Sequence, residues 1–169
     1  MSDAIFTGTS RPIGPIGSKL ERIQVYVRVR GGQVGAVNDH NHWIVQPKQI
    51  SDGKRVYAAE AAFGGEVPTA VVYETSVKDI VQSVKEGYNG TIMAYGQTGA
   101  GKTYTMRGQN GQEGVIDLAL QDIFRDIDAD SERTYRVSMA YLELYNEVLF
   151  DLLASGTKKK KLELRERGE

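Results

Sequence analysis

The stretch GQTGAGKT, residues 96–103, matches the G-x-x-x-x-G-K-[ST] pattern of the phosphate-binding loop of nucleoside triphosphatases. Gly96 and Gly101 lack a Cβ, so the backbone can turn sharply there and approach an anion closely. Backbone N–H groups in such a loop point inward and cradle phosphate oxygens. Lys102 would place its charge on the β- and γ-phosphates, and Thr103 would offer a hydroxyl to Mg²⁺. The stretch therefore predicts a site for the phosphates of a nucleotide.

The residues on either side decide between this site and an incidental glycine-rich surface loop. Residues 91–95, Thr-Ile-Met-Ala-Tyr, form a short and largely apolar run that is typical of a buried strand. Residues 102–106 contain neither proline nor glycine and can begin a helix. The N-terminus of that helix would add partial positive charge to the phosphate site. A strand, a glycine loop and a helix in succession favour nucleotide binding.

Composition restricts the remaining classes of function. The chain has 169 residues, 40% hydrophobic and 25% charged, which suits one domain with its own core. A formal net charge of −1 gives no overall electrostatic case for binding nucleic acid or an anionic membrane. The absence of cysteine excludes disulfides, thiolate metal sites and cysteine catalysis. The spacing of the two histidines, His40 and His42, favours a polar loop over a metal site.

The termini and the longest apolar runs bear on location. No apolar stretch is long enough to span a membrane, and the N-terminus lacks the pattern of a secretory signal. We therefore expect an intracellular protein. Residues 1–20 are rich in glycine, proline, serine and threonine, which predicts a disordered leader before a domain over residues 21–169.

Alternating patterns predict several strands. Residues 23–30 alternate, which predicts a strand with one core face made by Ile23, Val25, Val27 and Val29. Residues 43–45 and 55–57 suggest a small hairpin. Residues 134–144 alternate again, and residues 148–153 form a compact apolar run. Four lysines at 158–161 then predict a solvated loop, with a partner-binding patch as the alternative.

Two segments have helical periodicity. Ser76 can cap the first, with Asp79 as a capping-box-like partner, and Gly87 ends it. Its apolar stripe consists of Val77, Ile80, Val81 and Val84. The stripe of the second consists of Ile116, Leu120, Ile123, Phe124 and Ile127. Because strands and helices alternate, the sequence predicts an α/β fold with a sheet flanked by helices.

Longer stretches around these motifs resemble the motor domain of kinesins. Residues 72–75 and 86–106 are similar to the kinesin nucleotide-loop signature, well beyond the generic phosphate loop. Residues 23–30 resemble the first core strand of that domain, and residues 114–116 and 122–124 resemble the helix after the loop. Residues 141–147 with 151–153 match another kinesin signature, and residues 162–166 fit the strand after it. Residues 90–93 and 149–153 look most similar to the ciliary kinesins of the ninth family, found in motile axonemes.

The resemblance implies a phosphate-loop nucleotidase fold, with a central mixed β-sheet flanked by helices, and an ATP-driven microtubule motor. Residues 96–103 would hold the phosphates of ATP, and Thr103 would bind Mg²⁺. Tyr104 lies where kinesins place a ring against adenine, and Arg28 and Arg30 lie in the strand end that closes the other side of the base. Without the resemblance, Tyr104 would equally fit a half-buried helix aromatic, and the arginines would fit solvated or salt-bridged positions.

The resemblance also implies partners and a location. Microtubules would be the main partner, with other axonemal proteins as further candidates, and neither nucleic acid nor membrane is expected. The protein would lie in the cytoplasm on the cytoskeleton, with the axoneme of a motile cilium or flagellum as the narrower location.

The chain departs from the family in two ways. Kinesins usually have proline after the last arginine of the first strand, whereas Gly31 and Gly32 follow here, which predicts a looser base pocket. The resemblance covers residues 21–167, about the first half of a kinesin motor, so the fold is expected to be incomplete. The N-x-x-S-S-R-S-H and D-x-x-G-S-E switch segments are absent. Because phosphoryl transfer depends on such parts, we expect binding without turnover, and the catalytic residues stay unassigned.

Three interpretations stay open at this point. The first is a portion of an ATP-hydrolysing ciliary kinesin. The second is a kinesin-like structural subunit that stays docked on microtubules in an axonemal assembly and does not turn over ATP. The third is a different phosphate-loop enzyme, such as a kinase of small substrates, for which the sequence shows no acceptor site or lid.

Overall fold

A computed structural model describes residues 3–10, 22–30, 43–155 and 160–165, with the backbone alone for 3–10 and 22. These residues belong to two compact units, residues 1–130 and 131–169. The strands and helices of the first unit are β1 (Asp3–Ser10), β2 (Arg22–Val29), β3 (Ile44–Gln46), β4 (Gln49–Ser51), β5 (Val56–Ala58), β6 (Ala61–Phe63), α1 (Thr69–Ser76), α2 (Lys78–Lys85), β7 (Thr91–Tyr95), α3 (Lys102–Arg107), β8 (Gly108–Gln109), β9 (Gln112–Glu113) and α4 (Val115–Ala129). Those of the second unit are β10 (Leu142–Tyr145), β11 (Val148–Asp151) and β12 (Lys160–Leu162).

The main sheet of the first unit is mixed. Its strand order is β6-β2-β1-β7, with β2 parallel to β6 and β1 antiparallel to both of its neighbours. Helices pack on this sheet around an apolar cluster, which consists of Tyr26, Phe63, Val72, Tyr73, Val77, Val81 and Val115. The expected α/β fold with a mixed sheet and flanking helices is confirmed.

The strand β1 differs from the disordered leader expected over residues 1–20. Asp3–Ser10 lie between β2 and β7, with Ile5 opposite Val27 on one side and opposite Tyr95 on the other. β2 and β7 do not pair with each other in this sheet, so the edge that each turns toward the other has backbone N–H and C=O groups that need a partner. An extended segment fills the gap between them whatever its composition, because the pairing uses backbone atoms. The remaining residues of the expected leader, 1–2 and 11–20, lie outside the described part.

The strand β2 is buried on both faces near its C-terminal end, so the expectation of one core face is wrong. Tyr26, Val27, Arg28 and Val29 are all at most 7% exposed, whereas Ile23 is 61% exposed. Tyr26 joins the apolar cluster under the helices. Alternation identified the strand, but the burial of each face depends on elements that are distant in sequence.

The helix expected to begin at Ser76 corresponds to α2, and a further helix, α1, ends at that residue. Ser76 is the last residue of α1, and its hydroxyl donates to the carbonyl of Val72 instead of capping α2. Val77 interrupts the helical path with φ −120° and is fully buried. Ile80 and Val81 are buried as expected, but Val84 is 42% exposed. Gly87 follows the end of α2 with φ +97°, a conformation that favours glycine, so the expected stop is confirmed.

The helix α4 lies at the position that the periodicity predicted. Part of its apolar stripe, which was expected to face the core, is exposed to solvent instead. Ile116, Leu120 and Phe124 are 39–45% exposed. The side chains that pack on the core include Val115, Leu118, Ala119 and Ile123. The strand β7 also has an exposed face, because Met93 and Tyr95 are 53% and 71% exposed.

The hairpin expected from residues 43–57 is a three-stranded antiparallel sheet, β3-β4-β5. The added strand β4 buries Ile50 to 6% exposure. The turn between β4 and β5 is closed by Asp52, whose carboxylate accepts from the backbone N–H groups of Lys54 and Arg55. The sequence indicated that turn but not the strand before it.

In the second unit the strand expected over residues 134–144 begins only at Leu142. Residues 131–141 have no regular structure, and the side chains of Val137 and Met139 are 53% and 70% exposed. An extended segment needs a neighbouring strand for its backbone bonds, and in the described part of this unit the sheet contains only β10, β11 and β12. Lys160 and Lys161 lie exposed on β12, while Lys158 and Lys159 lie outside the description. None of the four described helices is long and apolar enough to cross a bilayer.

One buried polar contact links α1 to α4. The hydroxyl of Tyr73 donates to a carboxylate oxygen of Asp122 at 2.6 Å, and Tyr73 is 3% exposed. Arg125 also pairs with Asp122. The hydrogen bond from Tyr73 is the largest influence on Asp122 and holds the pKa of its carboxyl group below the usual value. Burial raises the pKa of the Tyr73 hydroxyl, so this group stays protonated and remains a donor.

We expect Tyr73→Phe to lower the free energy of unfolding by about 1–3 kcal/mol at pH 7, because a buried carboxylate loses a donor. The folded pKa of Asp122 is depressed, so its contribution is present above the unfolded pKa of about 4 and is lost as the pH falls through the folded value. Urea unfolding at pH 7, 5 and 3 should therefore show the difference from the wild type shrinking at pH 3. The matched control is Tyr57→Phe, at a residue that is 41% exposed. A difference of constant size across this range would contradict the assignment.

Candidate phosphate-binding site

The loop of residues 96–103 connects β7 to α3, as the sequence predicted. Gly99 and Gly101 have φ +82° and +100°, which an L side chain rarely adopts, so glycine is required at both. A turn closes within the loop, where the N–H of Ala100 donates to the carbonyl of Gln97 at 3.1 Å. The helix α3 then begins with a bond from the N–H of Thr105 to the carbonyl of Gly101 at 2.9 Å. The loop therefore forms a compact turn that leads directly into the N-terminus of α3.

The ammonium group of Lys102 lies across the loop. It donates to the carbonyl of Gly96 at 2.7 Å and to the carbonyl of Gln97 at 2.9 Å. Both acceptors are neutral, so an anionic phosphate oxygen would be a stronger partner for the same charge. The loop therefore holds a cation in position to exchange two carbonyl contacts for contacts with phosphate.

A cleft of about 450 Å³ opens beside the loop. It is large enough for a small ligand. Its walls come from the end of β2, the loop before α1, the phosphate-binding loop and α3. The residues that line it are Arg28, Val29, Arg30, Gly65, Gly99, Ala100, Gly101, Lys102, Thr103, Tyr104, Thr105 and Gln109. The structure therefore brings together Arg28, Arg30, Tyr104 and the second half of the loop, from Gly99 to Thr103. Of the other expected site residues, Gly96 and Gln97 reach the site through their contacts with Lys102, and Thr98 lies between them and the lining residues.

The two arginines of β2 have different surroundings. Arg30 is exposed, and its guanidinium donates to the carbonyl of Gly99 at 2.8 Å, which ties the strand end to the loop. Arg28 is only 5% exposed. Burial lowers the pKa of its guanidinium, although an arginine stays protonated in proteins. The resemblance implies that the strand end with both arginines closes one side of the base. In the structure Arg30 is open to a ligand and Arg28 is mostly enclosed.

The ring of Tyr104 lines the same cleft as the two arginines. The guanidinium carbon of Arg28 is over the ring, 5.0 Å from its centre. The hydroxyl of Tyr104 donates to the side chain of Gln112 on β9. A half-buried ring held at one face and at its hydroxyl keeps a fixed orientation, which suits a surface for stacking.

The residues present fit a magnesium ion in one respect. Thr103 is exposed and lines the cleft, so its hydroxyl is accessible as an oxygen ligand. Mg²⁺ commonly takes few protein ligands and completes its shell with phosphate oxygens and water. Within the described ranges no group of three or more histidine, cysteine, aspartate or glutamate side chains forms a metal site. His40 and His42 lie outside those ranges, as do Gly31 and Gly32.

Sequence reasoning missed the groups that hold Arg28. Thr69 and Thr105 accept from its guanidinium, as does the carbonyl of Val67. Thr69 and Thr105 lie 41 and 77 residues away along the chain. Local patterns contain no signal for contacts at such separations. Gln112 was missed for a different reason, because a polar residue in a short turn has many possible partners.

The chain is similar to several known proteins. The profile of the family described as Kinesin motor domain matches residues 17–169. Kinesin-like protein KIN-7I of Oryza sativa subsp. japonica is 41% identical over 137 residues, covering 79% of this chain and 11% of that protein. Kinesin-like protein KIF27 of Rattus norvegicus is 39% identical over 156 residues, covering 85% of this chain and 11% of that protein. Kinesin-like protein KIF9 of Homo sapiens is 52% identical over 88 residues, or 50% of this chain and 11% of that protein.

The fold has a solved counterpart. A crystal structure of the Drosophila kinesin family member Kin10/NOD, in complex with divalent manganese and ADP, matches with a TM-score of 0.55 and 24% identity. The match covers 73% of this chain and 49% of that one. The chain therefore spans about half of the solved counterpart and 11% of each of the three relatives.

Proposed function

This chain belongs to the kinesin motor domain family, and from that premise we propose that it is the ATP-binding portion of a microtubule-based motor. One observation carries the proposal. The glycine loop, the ammonium of Lys102 and the hydroxyl-bearing Thr103 border the same cleft of about 450 Å³. A nucleoside triphosphate needs backbone N–H groups, a cation and a magnesium ligand in one place, and the grouping of these residues around one cleft supports such a role.

In this proposal each site residue has a separate task. Backbone N–H groups of residues 96–103 bind phosphate oxygens, and Lys102 leaves its two carbonyl acceptors to contact the β- and γ-phosphates. Thr103 would hold Mg²⁺, which when bound neutralises charge on the triphosphate. Tyr104 offers its ring to the base. Arg30 is the exposed cation at the rim of the same cleft, and Arg28 lies against the ring.

Binding and turnover are separate properties of this site. Hydrolysis also requires groups that orient the attacking water and sense the γ-phosphate, and transition-state stabilisation depends on them. The sequence contains neither of the two switch segments that the family uses for this purpose. We therefore propose that ATP hydrolysis needs these two switch segments, and that the site of this chain holds the nucleotide.

Residues 1–169 should bind a fluorescent ATP analogue in the presence of Mg²⁺ but release phosphate no faster with microtubules than without them. The physical reason is that the phosphate loop binds and positions the nucleotide but has no side chain that orients the attacking water. The measurement is steady-state phosphate release at saturating ATP over a range of microtubule concentrations. Sustained microtubule-stimulated release from this chain would contradict the proposal, whereas binding without turnover would support it.

The narrower placement is also a proposal. The 52% identity to Kinesin-like protein KIF9 over 88 residues supports an assignment to the ninth family, and with it a role on axonemal microtubules among other axonemal proteins. The location would then be the cytoskeleton of a motile cilium or flagellum. Imaging of the tagged full-length protein in ciliated cells tests this placement. A signal confined to cytoplasmic microtubules would contradict it.

A further inference from the structure

We propose that Arg28 is a positioning residue that acts on a bound base through the ring of Tyr104 and does not itself contact the base. The inference rests on the proposed function, because it concerns the same nucleotide site. The resemblance implied that Arg28 helps to enclose the base. In this proposal Arg28 holds Tyr104 in place, and Tyr104 contacts the base. Three observations on the described residues carry it.

The first observation is that the guanidinium already has protein partners. One of its terminal nitrogens, Nη1, donates to the hydroxyl of Thr69 at 3.0 Å and to that of Thr105 at 3.1 Å. The other, Nη2, donates to the carbonyl of Val67 at 2.9 Å. A terminal nitrogen of arginine carries two hydrogens, so Nη1 has none left for a ligand, whereas Nη2 keeps one. Because Arg28 also borders the cleft, the experiment below has to separate a direct contact from an effect through the ring. A base contact from Nη1 would break a bond that is already made in a buried place.

The second observation is where these partners lie. Val67 precedes α1, Thr69 is the first residue of α1, and Thr105 is in α3, whereas Arg28 is in β2. One side chain thus joins a strand and two helices near the cleft. Because Thr105 follows Tyr104 directly, the bond to its hydroxyl fixes the turn of helix that carries the ring. The position of Tyr104 therefore depends on Arg28 through the backbone as well as through the ring.

The third observation is the stacking itself. The guanidinium lies over one face of the Tyr104 ring at 5.0 Å from its centre, and Arg28 is 5% exposed while Tyr104 is half-buried. A planar cation on one face of a ring is attracted by the ring's electrons and restricts its rotation. A base could then stack only on the face that Arg28 leaves free. The two side chains would form one platform, in which only the tyrosine contacts the ligand.

The test compares ATP with inorganic tripolyphosphate, which has the same phosphates and no base, across a double-mutant cycle of Arg28→Lys and Tyr104→Ala. Arg28→Lys keeps the charge but removes the planar fork. We expect Arg28→Lys to weaken ATP binding about fivefold, the range of one cation–π contact, and to change tripolyphosphate binding less than about twofold. In the Tyr104→Ala background, Arg28→Lys should cause almost no further loss of ATP affinity, because the ring through which Arg28 acts on the base is absent.

Two results would overturn the inference. A similar loss of ATP affinity in the presence and absence of the Tyr104 ring would mean that Arg28 contacts the base directly. An equal loss for ATP and tripolyphosphate would mean that it acts on the phosphates or on the fold alone. Thr69→Val is a second variant for the case in which Arg28→Lys fails to fold. It removes one acceptor and should weaken ATP binding about twofold to threefold, with tripolyphosphate unchanged.

Failure of this inference and failure of the proposed function give different results. If the wild-type chain binds neither ATP nor tripolyphosphate, the nucleotide site itself is wrong, and the role of Arg28 falls with it. If the wild-type chain binds both and the cycle is additive, the nucleotide site stands and only the positioning role is wrong.

Discussion

Replacing Lys102 with alanine should lower the affinity of residues 1–169 for ATP by about a hundredfold or more, which amounts to loss of measurable binding at micromolar protein concentrations. The ammonium group lies across the loop on two neutral carbonyls, those of Gly96 and Gln97. Phosphate oxygens carry charge and would replace those carbonyls as acceptors, so the bonds gained on binding are stronger than the bonds lost. Alanine removes both the charge and the donors.

The control for this variant is Lys54→Ala, which removes the same charge from the turn between β4 and β5, at a residue that does not line the cleft. Its affinity for ATP should match that of the wild type. The measurement is a titration of a fluorescent ATP analogue, with circular dichroism to show that both variants are folded. Unchanged binding by Lys102→Ala would contradict the assignment of the loop, and equal losses in both variants would show that only overall charge matters.

The second large effect is expected at Gly114, which precedes α4. Its φ of −91° is available to any residue, so the requirement for glycine there is steric and not conformational. A Cβ on Gly114 would lie 2.4 Å from the amide nitrogen of Gly108 and 2.4 Å from the carbonyl oxygen of Met106. Both are backbone atoms, so either the end of α3 or the start of α4 must move. We expect Gly114→Ala to lower the free energy of unfolding by about 3 kcal/mol.

A matched control lies three residues earlier, in the turn between β8 and β9. Gly111 has φ +82° and nothing within 4 Å of an added Cβ, so Gly111→Ala meets backbone strain alone. That strain should cost about 1 kcal/mol. Urea unfolding of the two variants and the wild type measures the difference. Because α3 carries Lys102 and Tyr104, Gly114→Ala should also weaken ATP binding, while Gly111→Ala should do so less. Equal destabilisation by the two substitutions would contradict the steric explanation.

The phosphate-binding loop could be predicted because its determinants are local. The strand before it, the glycines with positive φ and the lysine at the start of α3 all lie within residues 91–107. The same holds for the stop of α2 at Gly87 and for the turn at Asp52. Each of these features depends on the conformation of a few consecutive residues, so the types of those residues are enough to predict it.

The surroundings of Arg28 could not be predicted, because they depend on contacts between distant parts of the chain. Alternation in β2 assigned this side chain to the polar face, yet it is buried by partners 41 and 77 residues away. The division between α1 and α2 at Val77 is of the same kind. The predicted stripe begins at Val77 and does not indicate the helix that ends at Ser76. Val77 itself is buried in the cluster that also contains Tyr26 and Phe63.

The outer side of α4 has a related explanation. The periodicity selected Ile116, Leu120 and Phe124, and these side chains are 39–45% exposed in the structure. A helix with apolar residues around more than half of its circumference has more than one face that could pack on a core. Sequence alone does not decide which face the neighbouring elements cover, so the existence of α4 was predictable and its rotation was not.

Calorimetric titration of residues 1–169 with ATP and Mg²⁺ measures whether residues 96–103 hold a nucleotide. We expect one saturable site per chain, weaker binding when Mg²⁺ is removed by a chelator, and no saturable binding for Lys102→Ala. Weaker binding without Mg²⁺ is expected because Thr103 would share the ion with the phosphates. A folded wild-type chain that shows no saturable heat with ATP, or that binds ATP equally well as Lys102→Ala, would contradict the claim that residues 96–103 hold a nucleotide.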